Sequence, residues 1–246
     1  MKRQRLRWVG MILGALLFGC RSTGYTTLAF SAYQAKKELD STGSLHQLLA
    51  RAKNELNDSL AKVIAFSVQA YRQQPNVYTL ENWVADAVKF TAEKMVLTPV
   101  DLVLISRAAV GKWLPKGNIR LQDFFQLIPD NYRWIIHRVR VDTLETLLDS
   151  ALRKNGFGIA GGTLMRDSNG RIQLKVGGKV LHPNTHLHLI ILHRLSYQPA
   201  NENFVPIFPI LYKGTLLRDA VIFYATSFTH AGQPLKISIE KRIDVQ

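Results

Sequence analysis

Two helical stripes set in a chain otherwise written in strand-like alternation constrain the fold class most. Leu80, Trp83, Val84, Ala87 and Val88 fall at i, i+3, i+4, i+7, i+8, which places one apolar face of a helix over 80–94 against a core. Leu144, Leu147, Leu148, Ala151 and Leu152 do the same for a helix over 143–154. Thr79 stands where an N-cap belongs, and Asp142 with Glu145 three residues later has the form of a capping pair. A further helix is expected over 45–61, with Leu48, Leu49, Ala52, Leu56 and Leu60 near one face. Short helices fit 121–127 and 216–228. Between them, 62–70, 101–105, 132–141, 185–192 and 236–245 read as strands, with turns at Pro75-Asn76 and Asn169-Gly170. Interleaving of this kind means an α/β (α+β) fold, with mixed sheets flanked by helices in layers.

Cys20 is the sole cysteine, so no internal disulfide can form. It follows a basic start (Lys2, Arg3, Arg5, Arg7) and an apolar run from Trp8 to Gly19. That run is shorter than the roughly 20 residues needed to span a bilayer, and it suits a signal-peptide core. Leu17-Phe18-Gly19-Cys20 resembles the lipobox of bacterial lipoproteins, although Phe18 is larger than usual there. The resemblance implies lipidation at Cys20, a membrane attachment and a bacterial cell-envelope location. The expected organisation is a signal peptide over 1–19, a tether over 20–45 and a domain over 46–246. No later run of about 20 apolar residues suggests a second attachment.

Loss of four basic residues with the signal peptide lowers the net charge from +14 to +10. Such an excess favours anionic partners: lipid headgroups, nucleotides, cell-wall polyanions or an acidic protein. A solvated basic surface is the plainer explanation. No nucleic-acid-binding motif occurs, so nucleic acid is not an expected partner.

The local sequence carries a further resemblance. Glu55-Leu56-Asn57-Asp58-Ser59-Leu60, Leu80-Glu81-Asn82-Trp83-Val84-Ala85-Asp86-Ala87 and Asp101-Leu102-Val103-Leu104-Ile105 come in that order. They are followed by Gly117-Asn118-Ile119, Leu127-Ile128-Pro129, Gly178-Lys179-Val180-Leu181-His182-Pro183 and Glu240-Lys241-Arg242-Ile243. In order and spacing this series resembles the C-terminal domain of the 5′-nucleotidase/UDP-sugar hydrolase family, over about residues 53–243. In that family the C-terminal domain holds the substrate, and a separate metallophosphoesterase domain performs the chemistry. The signatures of that catalytic domain, Asp-x-His-Gly and Gly-Asn-His-Glu, do not occur here. The resemblance therefore implies a separate metallophosphoesterase chain as partner, with no cofactor held by this one.

The family's substrate residues map onto altered positions. Its Asn-Gly-Gly-Gly-Ile-Arg turn falls on Ser106-Arg107-Ala108-Ala109-Val110-Gly111, so Ser106 replaces the Asn and Gly111 the Arg, with Arg107 four residues earlier. Its first base-stacking aromatic falls on Asp130, with Tyr132 two residues on. Its second lies near His193-Arg194-Leu195-Ser196-Tyr197, where the family's glycines and aspartate are missing. Ser106, Arg107, Asp130, Tyr132 and His193 are thus the candidate ligand-binding residues by position. Base stacking is worth roughly 1–3 kcal/mol per ring, so losing both rings and the Arg weakens nucleotide binding by orders of magnitude. An alternative is a degenerate, non-catalytic binding or scaffold module for another anionic ligand or protein.

Other patterns carry less. His186 and His188 share a strand face, near His182 and His193, but without a local cysteine or carboxylate they fit a half-exposed sheet better than zinc. Gly156-Phe157-Gly158-Ile159-Ala160-Gly161 follows a helix and precedes a strand, the reverse of a dinucleotide site. Trp113, Trp134 and Tyr132 with Lys112, Lys116, Arg133 and Arg138 fit either a basic aromatic surface or core packing with a basic rim.

Overall fold

The computed structural model describes residues 42–154, 156–192 and 208–244. The chain divides into units 1–53 and 54–246. Helix α1 (Thr42–Ala61) leads into a strand, β1 (Val63–Ser67), that pairs antiparallel with β5 (Gly117–Arg120). A second small ladder joins β2 (Tyr71–Arg72) to β4 (Trp113–Leu114).

The centre of the larger unit is a five-stranded sheet in the order β12-β6-β11-β3-β7. Its strands are β3 (Leu102–Ser106), β6 (Arg133–Arg140), β7 (Phe157–Ala160), β11 (His186–Leu192) and β12 (Ile210–Leu216). β11 and β3 run parallel and the other pairs antiparallel, so the sheet is mixed as expected. Alternation along these strands sorts side chains to two faces. Val103, Ile105, Trp134, Ile136, Ala160 and Ile190 join one core with helices α2 (Thr79–Met95) and α5 (Leu217–His230). Leu102, Leu104, Val139, Ile159, Leu187 and Leu189 join another. That second core is completed by helix α4 (Val141–Lys154) and a four-stranded sheet, β10-β9-β8-β13. The latter comprises β8 (Gly162–Arg166), β9 (Ile172–Val176), β10 (Lys179–Val180) and β13 (Ile243–Asp244).

The stripe on α2 is buried as the spacing predicts: Leu80, Trp83, Val84, Ala87 and Val88 are at most 2% exposed. Each large member contributes about 1.5–3 kcal/mol by leaving water. Trp83, Phe90, Tyr224 and Phe228 interlock α2 with α5, with ring centroids 5.1–6.1 Å apart.

Three local expectations are corrected. The Asn82 amide donates to the Tyr78 carbonyl at 2.7 Å, so Tyr78 is the N-cap and Thr79 is already helical, with no side-chain cap. Asp142 and Glu145 do not form a capping pair. The Asp142 carboxylate accepts from the Thr143 amide and hydroxyl at 2.6 and 3.0 Å, whereas Glu145 accepts from Leu174 of β9 at 3.3 Å. The expected strand over 236–245 is reduced to β13, because only Ile243 and Asp244 find a strand neighbour and Ile239 is 80% exposed. β12 was not expected, and its pairing with β6 is interrupted by register shifts. The short helix, α3 (Leu121–Leu127), lies where expected.

Candidate functional site

Two acidic residues on α2 organise the surroundings of the family-like segments, and both have arginine partners far along the chain. Asp86 receives Nη1 and Nη2 of Arg242 at 2.7 and 2.9 Å, a bidentate fork, and the same Nη1 donates to the Ile159 carbonyl at 2.9 Å. Burial opposes charge on Arg242, but Asp86, with Glu240 assisting, holds its pKa above the ordinary value. The motif over 80–87 and the motif over 240–243 are therefore two halves of one contact.

Glu81 is different. It is fully buried, and Arg107 Nε lies 3.5 Å from Oε1, within ion-pair range but beyond a good hydrogen bond. Neither carboxylate oxygen has a well-formed hydrogen bond among the described residues. Burial pushes the Glu81 carboxyl up from its ordinary value, and its own amide and Arg107 only partly offset this. Glu81 and Arg107 thus bring the segment over 80–87 against the turn over 106–111. Beside them β7 approaches closely, and a Cβ at Gly158 would collide with the Glu81 backbone. Asn82 Oδ1 accepts from the Ile159 amide at 2.9 Å at the same crossing.

Ser106 ends β3 opposite Phe157 and precedes a 3-10 turn, Arg107–Ala109. From that turn the Arg107 guanidinium runs back towards 74–81. It donates to the Gln74 carbonyl at 2.8 Å and stands 5.5 Å from the Tyr78 ring. Gln73 Nε2 clasps the turn by donating to the Arg107 and Val110 carbonyls at 3.3 and 3.1 Å. Gly111, where the family has arginine, donates its amide to the Leu127 carbonyl at 2.6 Å, and a Cβ there would strike the Gln126 carbonyl. The end of α3 thus closes on the backbone from which a substrate arginine would project.

That contact brings the turn over 106–111 beside the one carrying Asp130 and Tyr132. Arg218 of α5, 8% exposed, secures the second turn by donating to the Ile128 carbonyl at 3.0 Å and to Asn131 Oδ1 at 2.9 Å. Its guanidinium lies 3.8 Å from the Phe125 ring centroid. Asp130 is exposed, and Tyr132 is partly buried against the core, with its carbonyl accepting from the Leu217 amide at 2.7 Å. Ser106, Asp130 and Tyr132 thus sit on two abutting turns, while the Arg107 side chain points away along α2. Arg218 was not singled out in the sequence. Its only signal was a lone arginine entering the apolar run Leu216-Leu217-Arg218-Asp219-Ala220-Val221.

His193, with Arg194 and the second stacking loop, lies outside the described residues, as do Cys20 and most of the tether. His186 and His188 stand opposite Arg140 and Arg138 across the β11–β6 ladder, which disfavours a cation between them. Among the described residues no group of three or more His, Cys, Asp or Glu could hold a metal ion. Trp134 is fully buried and Trp113 is 43% exposed, so these tryptophans do not form one aromatic surface.

No family model matches the chain, and no curated protein matches it in sequence. Solved structures do. The 5′-nucleotidase precursor from Thermus thermophilus superposes with a TM-score of 0.65 at 13% identity, covering 82% of this chain and 43% of that one. The sulfate thiohydrolase SoxB of Thermus thermophilus gives 0.61 at 16% identity, over 82% and 38% of the two chains. The NAD nucleotidase of Haemophilus influenzae gives 0.58 at 12% identity, over 83% and 41%. This chain therefore spans about 40% of the length of the proteins it matches, and it has the fold of the C-terminal domain of the 5′-nucleotidases.

Proposed function

We propose that this chain is the substrate-side half of a two-chain nucleotidase, lipid-anchored at Cys20 and acting beside a separate metallophosphoesterase in nucleotide catabolism at the bacterial cell envelope. The observation that carries this reading is the asymmetry of the likeness. It covers 82% of this chain but 43% of the Thermus nucleotidase precursor. A shared membrane plane would concentrate two anchored chains without a covalent linker. The test is to purify the tagged protein from membranes of its own cells and assay the eluate for metal-dependent AMP hydrolysis. Hydrolysis is expected there and not from the recombinant chain alone. Activity in the recombinant chain, or none in the native eluate, would overturn the proposal. The anchor is tested by mass spectrometry of the peptide beginning at Cys20 and by loss of membrane retention in Cys20→Ser.

A second reading, a non-catalytic module for another anionic ligand, draws support from one observation. Arg107 is directed to Gln74 and Glu81, and Gly111 is closed by α3. Thermal-shift titration with nucleotides, sugar nucleotides and cell-wall fragments separates the readings: stabilisation by non-nucleotide ligands alone favours the second.

A further inference from the structure

β6 is longer than the strand beside it. Ile210 of β12 pairs with His137, and among the described residues the last bond across that edge runs from the Arg138 amide to the Pro209 carbonyl at 3.2 Å. Val141 donates to Thr185 on the opposite side at 3.0 Å, so by alternation the Arg140 backbone points to the β12 side of the sheet, beyond the range of β12 itself. The notch so formed is a cavity of about 540 Å³, with Arg138, Arg140 and His186 among its walls and Phe208 and Pro209 beside them. That volume lies in the ordinary range of small-ligand sites.

The basic side chains are unevenly committed. Arg140 Nη2 is held by Asp142 and by Asn184 Oδ1, the latter at 2.8 Å. Among the described residues its Nε and Nη1 donate to nothing, and neither the Arg138 guanidinium nor the His186 ring makes a hydrogen bond or ion pair. Arg138 and Arg140 are two apart on one face, and His186 is Arg140's cross-strand partner. The two arginine charges on one face repel each other and favour an anion between them. Of the nearby carboxylates, Asp142 is occupied by Arg140 and Thr143, and Asp101 accepts from the His188 amide at the far edge of β11.

We infer that this notch is a binding site for a phosphate group borne on a partly apolar molecule. The free guanidinium fork of Arg138, the remaining Nε and Nη1 donors of Arg140 and the His186 ring converge from different directions, which suits the three or four tetrahedrally placed oxygens of a phosphate. Phe208 and Pro209 provide an apolar wall for the remainder of the ligand. The site is separate from the turn at Asp130 and Tyr132. β6 starts beside that turn and ends at the notch, seven residues later. At a strand's rise per residue this is roughly 23 Å. The inference does not depend on a catalytic partner.

The experiment is titration calorimetry of the full chain at low ionic strength, where charge is least screened. Inorganic phosphate, phenyl phosphate and glycerophosphoglycerol, the headgroup portion of an anionic lipid, are the three probes. Saturable binding is expected, weakened about tenfold or more by Arg138→Gln. That side chain makes no hydrogen bond or ion pair among the described residues, and an unchanged melting temperature verifies that its loss leaves the fold intact. His186→Gln provides an independent second variant with a smaller loss. Tighter binding of glycerophosphoglycerol identifies a lipid headgroup as the source, and tighter binding of phenyl phosphate a soluble phosphate ester. Absence of saturable binding by all three, or wild-type affinity in both folded variants, overturns the site.

Discussion

Asp86 and Glu81 stand five residues apart on α2, and each faces an arginine, yet the two pairs are built in opposite ways. Asp86 is 29% exposed and its partner Arg242 13%, and they meet in a two-bond fork with the correct geometry. Glu81 is fully buried and meets Arg107 by charge alone at 3.5 Å. Desolvation is the dominant cost for a buried carboxylate, and only hydrogen bonds of good geometry offset it fully. Asp86–Arg242 is therefore a staple that ties the C-terminal segment to α2. Glu81–Arg107 is a buried charge restrained by a partner that itself remains partly in solvent.

The largest expected effect separates the two members of the weaker pair. Arg107→Met removes the only cation near Glu81 among the described residues and leaves its charge buried and uncompensated, which should cost about 3–5 kcal/mol in denaturant unfolding. A loss below about 1 kcal/mol would show that Glu81 carries no charge in the folded protein. Breaking the staple comes next. Arg242→Met should cost about 2–3 kcal/mol, less than a fully buried pair because Asp86 regains water, and should increase hydrogen exchange over 236–244. Equal losses in the two variants would erase the distinction.

The smallest effect concerns pH. The folded pKa of Glu81 is raised above its ordinary value of 4.5. The folded state therefore binds its proton more tightly, and the resulting stabilisation is fully present below that value. It is lost as pH rises through the folded pKa. Glu81→Gln should remove this decline, so its stability relative to wild type improves with rising pH. A constant difference across the titration would show that Glu81 does not titrate in this way. In Glu81→Gln/Arg107→Met the penalty of the single Arg107 change should largely disappear, because no buried charge is left to compensate.

Much of the fold was legible because the relevant signals are local. The α2 stripe is a property of five side chains on one helix, and the mixed layers followed from the alternation of periods. β12 was missed because its place depends on β6, more than 70 residues earlier, and its outer side is exposed, with Ile210 and Leu211 about half accessible. The apparent strand over 236–245 failed for the converse reason. Its alternation holds only over 235–237, where Leu235 and Ile237 are buried and Lys236 between them is exposed; Ile239 shares their phase yet lies in solvent, because a strand also needs a neighbour along its length. At the candidate site, positions were legible and directions were not. Arg107 could be placed on the family turn, but nothing in its neighbours shows that its guanidinium turns to Gln74 and Glu81.

The amino-acid sequence by itself determined the class of fold and the helices that carry its core, because periodicity and residue identity are written along the chain. Only the tertiary structure decided what the charged residues do. It joined Asp86 to Arg242, set Arg107 against Glu81, closed Gly111 with α3 and opened a basic notch where β6 runs past β12. Those outcomes depend on distances between segments remote in sequence, where burial and the approach of a single hydrogen-bonding atom settle whether a charge staples, strains or remains available to a ligand.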